Sequence, residues 1–346
     1  MATERGVFEM SLKLPQILDK LCAQHVVDRL EAEESLRRLA SGEESESVIA
    51  SFLTVFRMRN VTPQEILGFR DAMLSLAVRP ELQSEQPPID LCGTGGDGKD
   101  TFNISTLAAF VLAGSGNKVA KHGNYSASSV CGSSNVLEEL GVMFSNLSEV
   151  LQEQLHAAHL CYFHAPLFHP AMKHVAPVRK ALKVRTIFNL LGPTVNPLGV
   201  TRQLIGVFSY QMARLYAHTL FGALERFSIV FSVDGYDEVS LTGAIRIFTE
   251  QGENIVHPED FGFDPVTPTA LTGGKTVAES AKIFMDILSG SGTKEQNAVV
   301  VANAALALMV HHREVQLHDA VSLCQTSLES GSALQKFETF RDISQE

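Results

Sequence analysis

A small all-helical N-terminal domain followed by a large α/β domain, with a mostly parallel central sheet flanked by helices, is the fold this sequence predicts. Apolar residues recur at helical spacing from Leu14 to about Val78. A polar, proline-bearing stretch interrupts that pattern, and short apolar runs then alternate with helical periodicity. A chain of 346 residues is long enough for two unequal parts, placed here at 1–85 and 86–346.

In the first part the apolar positions group as Ile17, Leu18 and Leu21, then Val26 and Leu30, then Leu36 and Leu39, then Ile49, Phe52, Leu53 and Phe56. Thr62 followed by Pro63, Gln64 and Glu65 is a helix start, with a capping hydroxyl and proline in the first turn. Four short helices and no strand follow. Arg79 to Pro88, with prolines at 80, 87 and 88, is the linker. Beyond it, Ile89–Cys92, Lys118–Ala120, Leu160–Phe163, Leu204–Phe208 and Ser228–Val233 read as strands. Thr106–Leu112 and Met212–Leu224 read as helices between them. From Val277 onward three helices are expected, at Glu279–Leu288, Lys294–His311 and Leu317–Leu328.

Composition narrows the class of function. The net charge of −11 repels a nucleic-acid backbone and no basic run offsets it, so an anionic small ligand must be held by local features. The most apolar stretch, Ala298–Met309, is shorter than the about 20 residues a membrane span needs. Met1 to Leu14 does not read as a secretory signal, and Met10 is an alternative start. Five scattered cysteines without CxxC spacing suit reduced thiols in the cytoplasm.

The first strand runs into Gly93-Thr94-Gly95-Gly96-Asp97-Gly98, and a helix opens at Asn103-Ile104-Ser105-Thr106. Glycines let main-chain N–H groups approach phosphate oxygens, and a helix N-terminus adds partial positive charge. By itself this cluster reads equally well as a tight turn that needs glycine for steric reasons. It has neither the Walker lysine nor the dinucleotide GxGxxG register. The second strand runs into Lys121-His122-Gly123-Asn124, at a carboxyl edge where α/β ligands bind, and Gly132-Ser133-Ser134 opens another helix. Taken alone, the Lys121-His122 pair reads as a solvated loop and Asp237-Glu238 as an acidic turn.

Taken together and in order, GTGGD, NIST and KHGN resemble the anthranilate phosphoribosyltransferases. The resemblance extends to His169-Pro170-Ala171-Met172, Pro177-Val178-Arg179, Arg185 to Asn189, Gly192-Pro193 and Asp234 to Glu238. It implies a magnesium-dependent pentosyl transfer. The 5-phosphoribosyl group of 5-phosphoribosyl 1-diphosphate (PRPP) moves to the amine of anthranilate, a step of tryptophan biosynthesis. It further implies that PRPP lies on Gly93, Gly96, Asp97, Thr101, Asn103, Ile104, Ser105 and Thr106, with Lys121, Ser129 and Ser133. Anthranilate would meet Gly93, Asn124, Arg179 and Gly192, with His122 and Met172 nearby, and Mg²⁺ would be served by Ser105, Asp237 and Glu238. Helices from about 167–188 would join the first domain, and two chains would pair as a homodimer. No covalent nucleophile or general base is assigned, since the proton can pass to His122 or to the substrate's own carboxylate.

The family usually has basic residues where this chain has Tyr125 and Val130, and an aspartate where it has Asn135. Altered PRPP affinity and a modified acceptor both remain open consequences. Lys183 stands where glycine is common, as a helix-end variation. Two rival readings are a pyrimidine nucleoside phosphorylase and a non-catalytic nucleic-acid-binding relative. The anthranilate-side motifs oppose the first and the acidic charge opposes the second. Phosphorolysis of thymidine and DNA binding at low salt are the discriminating assays.

Overall fold

The computed structural model describes residues 13–126 and 130–345. Met1, Met10 and Ser129 lie outside the described residues. Numbered along the chain, the first helices are α1 (Leu14–Cys22), α2 (Arg29–Ser41), α3 (Glu46–Met58) and α4 (Pro63–Leu76). Next come β1 (Ile89–Gly93), α5 (Ile104–Gly114), β2 (Val119–Gly123), α6 (Ser133–Glu139), α7 (Ser148–Glu153) and β3 (Leu160–His164). The middle of the chain forms α8 (Ala165–Phe168), α9 (Ala176–Leu182), α10 (Ile187–Leu191), β4 (Arg202–Gly206), α11 (Tyr210–Leu220) and β5 (Arg226–Ser232). The remainder forms β6 (Ile245–Thr249), β7 (Gly252–Val256), α12 (Val277–Leu288), α13 (Lys294–His311), α14 (Leu317–Glu329) and α15 (Ser332–Gln345).

The chain divides into two compact units. One runs to Leu76 and takes in Ala171–Leu191; the other holds Ala77–Pro170 and Gly192 onward. In the helical unit, α1 to α4 bury Leu14, Ile17, Leu21, Phe52, Phe56 and Phe69. Phe56 meets Phe69 edge-on at 5.1 Å. Thr62 caps α4 as expected: its hydroxyl accepts from Glu65 N–H at 3.3 Å, and the Glu65 carboxylate accepts from Thr62 N–H at 2.9 Å. A 3-10 turn, Pro170–His174, precedes α9, because Pro177 suits the first turn of a new helix and not the interior of an old one. Lys183 closes α9 at φ +52°, in the left-handed region that glycine enters freely.

The second unit is built on a seven-stranded sheet of order β3-β2-β1-β4-β5-β6-β7. β1 to β5 pair in parallel, and β6 and β7 continue the sheet antiparallel. All five expected strands are present. β2 reaches Gly123, so Lys121 and His122 lie within the strand, while β4 ends at Gly206. α5 and the middle of α13 are apolar on all sides and buried, which is how central helices of a large core read. The tail holds four helices, not three. α15 buries a narrow stripe of Ala333, Phe337, Phe340 and Ser344 under an otherwise polar helix, and Phe337 and Phe340 pack on Phe110 at 5.3 and 5.5 Å. Among the described residues no helix is long and apolar enough to cross a membrane.

Candidate active site at the carboxyl edge of the sheet

β1 is flanked by β2 on one side and β4 on the other, so the strand order reverses between β1 and β4. In an open α/β sheet a crevice opens beyond the carboxyl ends of the strands at such a point. The glycine-rich loop leaves β1 there, and Thr94 N–H donates to Gly206 O at 2.9 Å. Gly95, Gly96 and Gly98 take φ of +65°, +78° and +74°, conformations that side chains rarely adopt. The glycines are therefore needed by the path of the loop. α5 begins just after it at Ile104, and its N-cap Asn103 makes no side-chain capping bond; the amide donates instead to Cys131 O at 3.3 Å.

Asp237 and Glu238 come from the loop between β5 and β6, distant in sequence and seated directly on these strand ends. Asp237 Oδ2 accepts from Gly95 N–H at 2.7 Å. A Cβ on Gly93 would lie 2.8 Å from that same oxygen, and one on Gly206 only 1.7 Å from the Asp237 carbonyl oxygen. Burial pushes the Asp237 carboxyl up to about 7, with the neighbouring Asp97 charge as the next cause. Burial and then Asp237 push Glu238 up to about 8, against the pull of Lys121. Crowded buried acids of this kind are hard to ionise without a cation. One oxygen of Asp97 accepts from Lys99 N–H at 3.0 Å, and the other is buried without a hydrogen-bond partner. This donor set fits a hard divalent cation. Among the described residues no three His, Cys, Asp or Glu side chains are grouped to hold a metal unaided. Mg²⁺ suits that arrangement, since it takes one or two carboxylates and leaves its other positions to water and phosphate oxygens.

Lys121 is buried on β2, and its Nζ donates to Leu91 O at 2.5 Å and Ser105 Oγ at 3.3 Å. It is thus a fixed charge behind the α5 N-terminus and not the solvated lysine that an isolated Lys-His pair suggests. Gly93, Ser105, Lys121, Asp237 and Glu238 are brought together at one edge. Thr106 is buried as the third residue of α5, and Thr101 bridges to Thr272. A small cavity lined by Cys92, Ser105, Gly206, Glu238 and Asn303 opens here.

A second group forms at the end of β2. His122 Nδ1 lies 3.2 Å from Gly192 O, while its Nε2 is buried without a partner. Burial, and then His169, hold the ring down near a pKa of about 3, so it is neutral at pH 7. With Nδ1–H donating to the Gly192 carbonyl, Nε2 offers a lone pair. Asn124 O accepts from Ser134 N–H at 3.2 Å and from Ser133 Oγ at 3.3 Å, and Ser133 Oγ also meets Tyr162 OH at 2.8 Å. Arg179 and Met172 belong to the helical unit, where the Arg179 guanidinium lies over the Phe188 ring, 5.0 Å from its centroid.

Two of the three departing positions have separate explanations. Asn135 Oδ1 accepts from Ser126 N–H at 3.1 Å and Gly132 N–H at 3.0 Å, so a neutral amide ties the loop ends as a carboxylate would. Tyr125 donates its hydroxyl to Glu138 at 3.2 Å and sets its ring edge-on to His164. Nothing in the structure explains Val130, which is exposed.

Sequence reasoning missed Asp90 and Asn196. Asp90 is fully buried on β1, accepts from His122 N–H at 3.1 Å and Asn196 Nδ2 at 2.9 Å, and is pushed up to about 6 by burial. The signal was present: an aspartate inside the apolar run Ile-Asp-Leu must be paired to be tolerated.

Two family descriptions match the chain. Residues 15–77 match "Glycosyl transferase family, helical bundle domain" and residues 85–334 match "Glycosyl transferase family, a/b domain". An anthranilate phosphoribosyltransferase of Flavobacterium johnsoniae is 49% identical over 328 residues, 95% of this chain and 99% of that protein. Among solved structures, the anthranilate phosphoribosyltransferase of Thermus thermophilus superposes with a TM-score of 0.89 at 36% identity, covering 95% of this chain and 99% of the other. The Saccharomyces cerevisiae enzyme, solved in complex with PRPP and Mg, gives a TM-score of 0.88 at 26% identity over 96% and 98% of the two chains. With both domain types matched in order and identity this high over nearly its whole length, the chain belongs to the anthranilate phosphoribosyltransferases of the glycosyl transferase family.

Proposed function

We propose that this chain transfers the 5-phosphoribosyl group of PRPP to the amine of anthranilate, giving N-(5-phosphoribosyl)anthranilate and diphosphate in tryptophan biosynthesis. The observation that carries the reading is the seating of Asp237 and Glu238 against Gly93, Gly95 and Gly206 at the strand-order reversal. It combines a phosphate cradle with carboxylates that need a cation.

In this reaction the bond from the anomeric carbon to the diphosphate oxygen breaks and its electron pair leaves with diphosphate. The amine nitrogen forms the new bond and gives up a proton. Gly93, Gly96, Asp97, Thr101, Asn103, Ile104, Ser105 and Thr106 hold the leaving diphosphate, with Lys121 and Ser133 adding charge and hydrogen bonds. Asp237, Glu238 and Ser105 would hold Mg²⁺, which would supply charge neutralisation for the departing oxygens. Asn124, Gly192, Met172 and Arg179 hold anthranilate, and the guanidinium forks onto its carboxylate so that the amine faces the sugar. A neutral amine is already nucleophilic, so proximity and alignment supply the rest. The His122 Nε2 lone pair and the substrate carboxylate are the two proton acceptors available.

The direct test mixes the protein with PRPP, Mg²⁺ and anthranilate and follows the decay of anthranilate fluorescence. No decay under conditions where the Thermus enzyme is active refutes the assignment. Arg179→Ala is expected to raise the KM for anthranilate about tenfold or more while moving the KM for PRPP less than about twofold. Equal changes in both constants contradict the carboxylate grip. A homodimer paired through the helical unit is part of the proposal, supported by exposed Val26, Leu30 and Met58, and light scattering tests it. The five free cysteines agree with a reduced, cytoplasmic setting.

A further inference from the structure

The loop that carries Asp237 and Glu238 is held from two sides by neutral polar groups buried behind it. The Ser232 hydroxyl, at the end of β5, donates to Glu238 O at 2.7 Å and accepts from Ser240 N–H at 3.2 Å. From α13, Asn303 brackets the residue between them in the chain: its Nδ2 donates to Val239 O at 2.9 Å and its Oδ1 accepts from Val239 N–H at 3.0 Å. The same Nδ2 donates to Val299 O at 2.9 Å.

Asn303 is 1% exposed on a helix whose other middle residues are apolar and packed. A buried amide there costs stability unless every polar atom is bonded, and here every one is directed at the loop or at the helix's own backbone. Leucine would fill the space without gripping the loop. Aspartate would accept from Val239 N–H but could not donate to Val239 O, and would add a further negative charge beside Glu238. Asn303 also lines the cavity with Ser105, Gly206 and Glu238. Two residues on from Val239, Leu241 takes φ +56°, a strained conformation for a branched side chain that persists only where its surroundings fix it. Val266 N–H bonds to Leu241 O at 2.9 Å, and the Leu241 side chain is fully buried.

We propose that Asn303 is a positioning residue for the metal site, which, with Ser232, holds the Asp237–Glu238 backbone in the one placement that presents both carboxylates to Mg²⁺ and diphosphate. The inference rests on the reading that these carboxylates serve Mg²⁺. Asn303 is not among the proposed ligands; its role runs through its two bonds to Val239.

The test compares Asn303→Leu, Ser232→Ala and the pair Asp237→Asn with Glu238→Gln. Initial rates are titrated with MgCl₂ at saturating PRPP and anthranilate, the anthranilate KM is measured at saturating Mg²⁺, and folding is followed by thermal melting. Asn303→Leu is expected to raise the Mg²⁺ concentration for half-maximal rate about tenfold or more, with turnover recovered at high Mg²⁺ and the anthranilate KM within about twofold. Ser232→Ala, which leaves α13 untouched, is expected to shift the Mg²⁺ curve the same way and keeps the question answerable if Asn303→Leu does not fold. A rate that falls only with the folded fraction, at an unchanged Mg²⁺ half-saturation, overturns the inference. If the carboxylate pair itself leaves the Mg²⁺ curve unmoved, the metal reading fails; if the pair shifts it and neither Asn303→Leu nor Ser232→Ala does, the positioning inference alone fails.

Discussion

Replacing Asp237 by Asn together with Glu238 by Gln is expected to lower Mg²⁺-dependent turnover by at least about a hundredfold while raising the metal-free melting temperature near pH 8. The two effects share one cause. In the unfolded chain these carboxyls ionise at their ordinary values of 3.8 and 4.5, whereas in the metal-free fold they do so at about 7 and about 8, chiefly because they are buried and close to one another and to Asp97. Between those limits the folded state keeps protons that the unfolded chain has released, so stability falls as pH rises through the window. The amide variants remove that cost along with the metal ligands. Melting curves at pH 5 and pH 8 without metal should show the variant gaining on the parent mainly at pH 8. Unchanged turnover at limiting Mg²⁺, or an equal gain at both pH values, contradicts the account.

The second large effect is expected from Gly206→Ala. Gly206 ends β4 in register with Gly93 of β1, and its added Cβ would fall 1.7 Å from the Asp237 carbonyl oxygen and 2.7 Å from the carbonyl carbon. Backbone atoms cannot rotate aside as a flexible side chain can, so either β4 or the acidic loop must move. Overpacking of this kind costs typically about 1–3 kcal/mol. The displaced element is the one that carries the proposed metal ligands, so kcat/KM for PRPP is expected to fall roughly a hundredfold, since small misplacements at a reacting site cost on that order. Gly243→Ala serves as the control. It lies in the same loop with nothing within 4 Å of its added Cβ, and activity and melting are expected to stay at parental values. A Gly206→Ala protein with unaltered PRPP kinetics refutes the steric seating.

What was hidden in the sequence differs in kind from what was visible. β7 was not read, although it extends the sheet, because it is a polar, solvent-exposed edge strand without the alternation that marks a half-buried one, whereas β6, with Ile245, Ile247 and Phe248 buried, was passed over despite a legible apolar run. α15 escaped for the converse reason, since its four buried positions are spread along a mainly polar helix.

The sequence by itself determined the helical first segment, the five parallel strands and the glycine-rich turn, because helix period, strand runs and left-handed glycines are properties of neighbours in the chain. Only the tertiary structure decided the rest. It set the loop after β5 against the ends of β1 and β4, turned Lys121 inward to Ser105, and aimed Asn303 at Val239. It also shifted the proton affinities of Asp237, Glu238 and His122, because burial and the approach of other charges depend on groups that lie far apart in the sequence.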